Sequence, residues 1–311
     1  MRVDSKLLIP LALLALLVAC SDEPEAPAEE RAPKSAEVEA APAPRAEPPA
    51  PQKGVVTASG PVIDPQMSVV LDEVIGGPHR VPQHTARDIY RHPKETLAFF
   101  GIQQNMTVIE ITPGNGWYAE ILAPLMRNAG RYVAAIWDES VPGQPDYRPR
   151  LNRELEAKFR AQRKHYGRAE VRRFNPSAPN FGPPGSADMV LSFRNAHNWI
   201  DEGTAPAYFQ AFAAVLKPGG VLGIVDHRAP AGAPTDGKSG YVTEEQIIDL
   251  ALAAGFILAD QSEINANEKD TKDHPEGVWT LPPTLALGEV DKAKYLAIGE
   301  SDRMTLKFLK Q

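Results

Sequence analysis

Residues able to do chemistry gather where apolar runs end. In VIEITPGNGWYAEIL, Val108 to Leu122, an apolar run closes near Glu110, and Gly114 and Gly116 flank Asn115 before a helix-like pattern begins. Glycines there let the backbone turn tightly and approach a ligand with no Cβ in the way. The helix that follows starts with free N–H groups, so the stretch has the grammar of a nucleotide cradle. Its spacing departs from the dinucleotide GxGxxG. Asp138 ends the next run, RYVAAIW, where a carboxylate can accept both hydroxyls of a ribose. Two further runs end in FRNAHNW (193–199) and VDHRAP (225–230). They place Arg194, Asn195, His197, Asp226, His227 and Arg228 at strand ends, as candidate proton-transfer and anion-binding groups.

These residues need a scaffold, and the pattern supplies one. IDPQMSVVLDEVIGG reads as a helix with Asp64 as N-cap and Pro65 at its first position, and RHPKETLAFFGI as a second. Strand and helix patterns then alternate: MTVIEIT, GWYAEILAPLMRNAG, RYVAAIW, RPRLNRELEAKFRAQRKHYG, AEVRRFN, ADMVLSFRN, PAYFQAFAAVL, VLGIVDHR, TEEQIIDLALAAG and FILADQSEI, with RMTLKFLK closing the chain. Lys217–Gly220 reads as a tight turn, and Thr243 and Gly255 as the two caps of one helix. Such alternation predicts an α/β fold, a mainly parallel sheet with helices on both faces. Ligands in that architecture sit beyond the carboxyl ends of the strands.

The order of elements, the EITPGNG turn, Asp138 and LKPGGVLGIVD resemble the class I S-adenosylmethionine-dependent methyltransferases over roughly residues 95 to 311. The resemblance implies a Rossmann-like sheet of seven strands, mainly parallel, with the last strand antiparallel. It also implies S-adenosylmethionine as cofactor. Glu110, Gly114 and Gly116 would hold the amino-acid end of that cofactor, with Thr112 standing where the family has its first glycine. Asp138 would hold the ribose and Asn175 the adenine, with Asn195 completing the set. More narrowly, FRNAHNW, VDHRAP, EINANEKDTKDHPEGVWTLPP (263–283) and YLAIGESDRMTLKF (295–308) resemble a family of predicted bacterial methyltransferases.

Methyl transfer from a sulfonium is an in-line displacement, so holding the reactants in line is the enzyme's main contribution. A base is needed only for a neutral hydroxyl or an acidic carbon. His197, His227 and Asp226 are the catalytic candidates. Arg194 and Arg228 are candidates for an anionic acceptor. Asp273, His274 and Trp279, in the long polar segment 265–283, are candidate substrate contacts on a lid. Neither a helical i, i+4 ligand pair nor HExxH unites His197, His227, Asp226 and His274, and no metal is expected.

The formal net charge of −7 argues against nucleic acid as partner and fits a small-molecule or lipid-linked acceptor. Arg2, Lys6, the apolar run Leu7–Val18 and the sequence LVAC resemble a bacterial lipoprotein signal, which implies cleavage before Cys20 and lipid chains on it. By the same resemblance, Ser21 rather than Asp after Cys20 implies the outer membrane over the inner. Residues 20–60 are rich in Ala, Pro and Glu and lack the apolar residues to fold, which suits a tether for a domain spanning 61–311. An envelope setting raises an alternative, a non-catalytic binding module that keeps the methyltransferase fold, because S-adenosylmethionine is made in the cytosol.

Overall fold

The computed structural model describes residues 63–311. The expected signal segment, Cys20 and the whole of the expected tether lie outside the described residues.

The described chain begins with helices α1 (Pro65–Ile75), α2 (Pro82–Thr85), α3 (Asp88–Arg91) and α4 (Pro93–Phe100). It continues through β1 (Thr107–Ile111), α5 (Ala119–Met126), β2 (Arg131–Trp137), α6 (Tyr147–Ala161), α7 (Arg163–Tyr166), β3 (Glu170–Phe174) and β4 (Ala187–Phe193). Then come α8 (Ala196–Asp201), α9 (Ala205–Val215), β5 (Leu216–His227), α10 (Glu244–Ala253) and β6 (Phe256–Ser262). A 3-10 turn at Gly277–Thr280 and helix α11 (Lys292–Ile298) precede β7 (Arg303–Lys310).

The strands form one sheet in the order β3-β2-β1-β4-β5-β7-β6. β1 to β5 pair in parallel, and β7 inserts antiparallel between β5 and β6. This is the seven-stranded α/β architecture expected from the sequence. Side chains alternate between two cores, as strand geometry requires. Ile109 and Ile111 join one core with α9 and α10, while Val108 joins the other with α1, α4 and α5. The expected caps form: Asp64 Oδ1 accepts from the N–H groups of Gln66 and Met67, and Thr243 and Gln246 make a capping box.

Three local features depart from the sequence expectation. Lys217–Gly220 is the expected tight bend, with Gly219 at φ +75°, but it interrupts β5 rather than preceding it: Ala187 pairs with Leu216 and Met189 with Val221. The Lys217 ammonium reaches Asp188 at 2.5 Å and fastens it. A short helix, α8, follows β4 where a loop was expected. Helix α5 starts only at Ala119 and contains Pro124, which has no N–H for the Glu120 carbonyl. His79 Nε2 donates to that carbonyl instead, at 2.8 Å.

Candidate active site

The sheet reverses its order between β1 and β4, where the connections leave to opposite faces. The carboxyl ends of β1, β2, β4 and β5 open there onto a cavity of about 530 Å³. Arg87 at the N-cap of α3, Arg91 within it, Tyr147 of α6, and Trp279 and Thr284 of the segment after β6 close over it. A second hollow of about 280 Å³, between α6, α7 and β3, lacks this convergence of strand ends.

On the β1 side the wall is built for a polar ligand. Glu110 is buried and accepts a hydrogen bond from Tyr132 Oη at 2.6 Å. Burial, with no cation paired to it, pushes its carboxyl up to about 8. Thr112 takes φ +46°, the left-handed region that a β-branched residue rarely occupies. Glycine adopts this conformation freely, and threonine does not. Its Oγ1 is buried with no partner and belongs to the cavity wall. Gly114 has φ +62°, and a Cβ there would meet nothing within 4 Å, so the bend faces open space. Lys158 fixes the bend from behind, donating to the Asn115 carbonyl at 2.7 Å and pairing with Glu120 at 2.6 Å.

On the β4–β5 side, Asp226 is fully buried and accepts four hydrogen bonds. Oδ2 receives the backbone N–H groups of Ala196 (2.6 Å) and His197 (3.3 Å), which fastens the start of α8. Oδ1 receives the His227 N–H (2.8 Å) and His197 Nδ1–H (2.9 Å). A carboxylate only accepts, so His197 Nδ1 is the donor, and in the neutral ring the lone pair is on Nε2. His227 differs. Arg194 Nε, always a donor, approaches its Nε2 at 3.2 Å, so its proton sits on Nδ1 and is donated to Ser301 Oγ. Burial first, then the neighbouring Arg194 and His197, hold His227 well below the usual histidine range and keep it neutral. His197 is thus the histidine with an unengaged lone pair beside the cavity.

Of the residues singled out in the sequence, Glu110, Thr112, Gly114, Arg194, Asn195, His197, His227 and Trp279 line this cavity. Asn195 Nδ2 bridges β1 and β4, donating to the carbonyls of Ile111 (3.0 Å) and Phe193 (3.2 Å). The others stand outside the wall, each for a local reason. Gly116 faces α6: a Cβ there would lie 2.8 Å from Leu155 Cδ1, so its bareness serves packing. Asp138 follows cavity-lining Trp137, but its Oδ1 accepts from Ser140 N (3.0 Å) and Oγ (2.8 Å). Asn175 is exposed and closes its own turn onto Ser177 N. Asp226 lies behind the wall, its carboxylate taken up by Ala196, His197 and His227. Arg228 is taken by Asp302, Glu244 and Glu263. Asp273 is exposed and accepts from Thr271, while buried His274 pairs with Asp270 at 2.8 Å.

Arg87 and Arg91 escaped the sequence reading. Their i, i+4 spacing in RDIYR, just before the helix-breaking Pro93, was the available signal. The side-chain donors of His197, Asp226 and His227 lie within 4.8 Å of one another. Three-way ligation of a cation is disfavoured, because Arg194 points a permanent positive charge at His227 Nε2 and Asp226 is already saturated.

No family model and no curated protein matches the chain. Solved structures do. The cyclase SpnF, described as a [4+2]-cyclase, is 17% identical over 78% of this chain and 93% of its own, with a TM-score of 0.53. A protein from Galdieria sulphuraria, provisionally assigned as a sarcosine dimethylglycine methyltransferase, is 14% identical over 74% and 86%, at 0.50. A SAM-dependent methyltransferase from Aquifex aeolicus is 15% identical over 80% and 100%, at 0.49. At these identities the likeness is one of fold. The described chain has the seven-stranded, Rossmann-like fold of S-adenosylmethionine-dependent methyltransferases.

Proposed function

We propose that the domain is an S-adenosylmethionine-dependent methyltransferase that acts on a hydroxyl of a small-molecule or lipid-linked acceptor. The residues present fit the cofactor. Glu110 is a buried carboxylate without a cation, Thr112 Oγ1 lacks a partner, and Gly114 leaves open space at the bend. Glu110 would meet the cofactor's ammonium, and Thr112 and Gly114 its polar backbone-facing end. When bound, the cofactor supplies an electrophilic methyl group. Asp226 orients His197, whose Nε2 would take the proton of the acceptor hydroxyl while its oxygen gains the methyl group and the sulfonium's S–C bond breaks, the electron pair staying on sulfur in the departing S-adenosylhomocysteine. Neutral His227 and Arg194 fix the opposite side of the acceptor.

The observation that carries this reading is the Asp226–His197 pair, with its free Nε2 opening onto the same cavity as the Glu110–Gly114 turn. A pure binding module has no need of an oriented base. The test is an acceptor screen with labelled methyl donor, comparing the protein with His197→Ala. The likeness to a cyclase is the motive for a second outcome: substrate converted with no label incorporated. Lipid anchoring in the bacterial envelope, on the outer membrane's periplasmic side, is part of the proposal. It is supported by Leu7–Val18 and Cys20 alone. Among the described residues no helix is long and apolar enough to cross a membrane.

A further inference from the structure

We propose that the methyl acceptor is an anion, carrying a carboxylate or phosphate group that Arg87, Arg91 and Arg194 receive together. The inference deepens the methyltransferase reading and rests on it for the word acceptor, but the binding it describes can be measured separately.

The cavity roof and its β4 edge hold more positive charge than the surrounding protein neutralises. Arg87 Nε pairs with Glu300 Oε1 at 2.5 Å, and Arg91 Nε approaches Glu300 Oε2 at 3.3 Å. Arg303 reaches the same Glu300 at 3.2 Å from outside the cavity wall. Glu300 therefore serves three guanidiniums, which hold its carboxyl down at about 2 despite its burial. Among the described residues no carboxylate lies within ion-pair distance of Arg194, whose side chain donates to the neutral ring of His227. Arg87 Nη2 is buried with no partner at all. An unpaired buried guanidinium nitrogen is costly, and an anion in the cavity would complete it.

The other acids near the cavity do not fill this role. Glu110 lines it but makes no ion pair, and its carboxyl is raised rather than lowered. Asp226 is saturated by its four hydrogen bonds. Geometry also favours a ligand over mere balance. Arg91 lies over the Trp117 ring at 4.7 Å, which fixes its plane. Arg194 is held at φ +64° by its N–H to the Val225 carbonyl (2.7 Å), an unusual conformation for a side-chain-bearing residue. Arg194 and His197 line the same cavity, so an anion held at Arg194 shares it with the base.

The test is calorimetric titration of the full chain with inorganic phosphate and, separately, with 4-hydroxybenzoate, each with and without saturating S-adenosylhomocysteine. At least one anion should bind. Its affinity should fall about tenfold or more in Arg194→Gln and in Arg87→Gln, and not in Arg160→Gln on the exposed side of α6. Affinity for S-adenosylhomocysteine should stay within about threefold in the arginine variants. The preferred probe decides between phosphate and carboxylate. Failure of both anions to bind, or equal binding by the arginine variants, overturns the inference. So does parallel loss of S-adenosylhomocysteine, since the arginines would then serve the cofactor's own carboxylate. Absence of S-adenosylhomocysteine binding with anion binding intact strikes the methyltransferase reading instead. Arg194 anchors no carboxylate, so Arg194→Gln decides the matter if Arg87→Gln fails to fold.

Discussion

Asp226 grips His197 at two points, the ring Nδ1–H at 2.9 Å and the backbone N–H at 3.3 Å. One carboxylate thus sets both where the helix starts and which ring nitrogen is basic.

Asp226→Asn should break both functions. An amide must present N–H to at least one donor it now accepts from, in a fully buried place. Stability should fall by roughly 2–4 kcal/mol, read as a lower denaturant midpoint. In His197→Gln the fold should hold, S-adenosylhomocysteine binding should persist, and turnover of any acceptor hydroxyl should drop by about 10² or more. A full-rate His197→Gln enzyme would remove the base.

Glu110 predicts a pH effect. Its folded carboxyl lies near 8, above the unfolded value of 4.5. The native state then holds a proton that the unfolded chain has released, so the relative stability is full below 4.5 and is lost as pH rises toward 8. Glu110→Gln should flatten that slope between pH 5 and 8 in thermal melts. A cation arriving at Glu110 should expel its proton, so S-adenosylhomocysteine binding at pH 7 should release protons, measured by calorimetry in buffers of different ionisation enthalpy. Glu110→Gln should abolish the release and weaken binding.

Thr112→Gly should separate stability from binding. Glycine adopts φ +46° freely, and removing the strain is worth ~1 kcal/mol. The lost Oγ1 should nevertheless weaken S-adenosylhomocysteine. A higher melting temperature with weaker ligand binding is the expected pair of results, and unchanged binding would show that Oγ1 serves nothing in the cavity.

Cys20→Ser should move the protein from the membrane to the soluble fraction if the lipid anchor is real. Persistence in the membrane fraction would defeat that part of the proposal.

Much of this was legible in the sequence because strand and helix periods differ and caps leave local marks. Asp64, Thr243, the bend at Gly114 and the strand ends carrying His197 and Asp226 are all short-range signals. Side-chain direction was not. His227 and Arg228 are neighbours, yet one faces the cavity and the other pairs with Asp302, as alternation along a strand dictates. Asp138 follows Trp137 of the cavity wall, and its Oδ1 is engaged by Ser140, a local contact that strand pattern does not reveal. Arg87 became part of the site only through Glu300, 213 residues away, a relation no window of sequence contains.

The most direct measurement is calorimetric titration of the folded protein with S-adenosylhomocysteine, alongside Gly114→Val. Valine is strained at φ +62° and fills the open space at the bend. Saturable one-to-one binding by the protein, lost in a folded Gly114→Val, is the expected result. A folded protein that takes up no S-adenosylhomocysteine would contradict the cavity's assignment as a methyl-donor site.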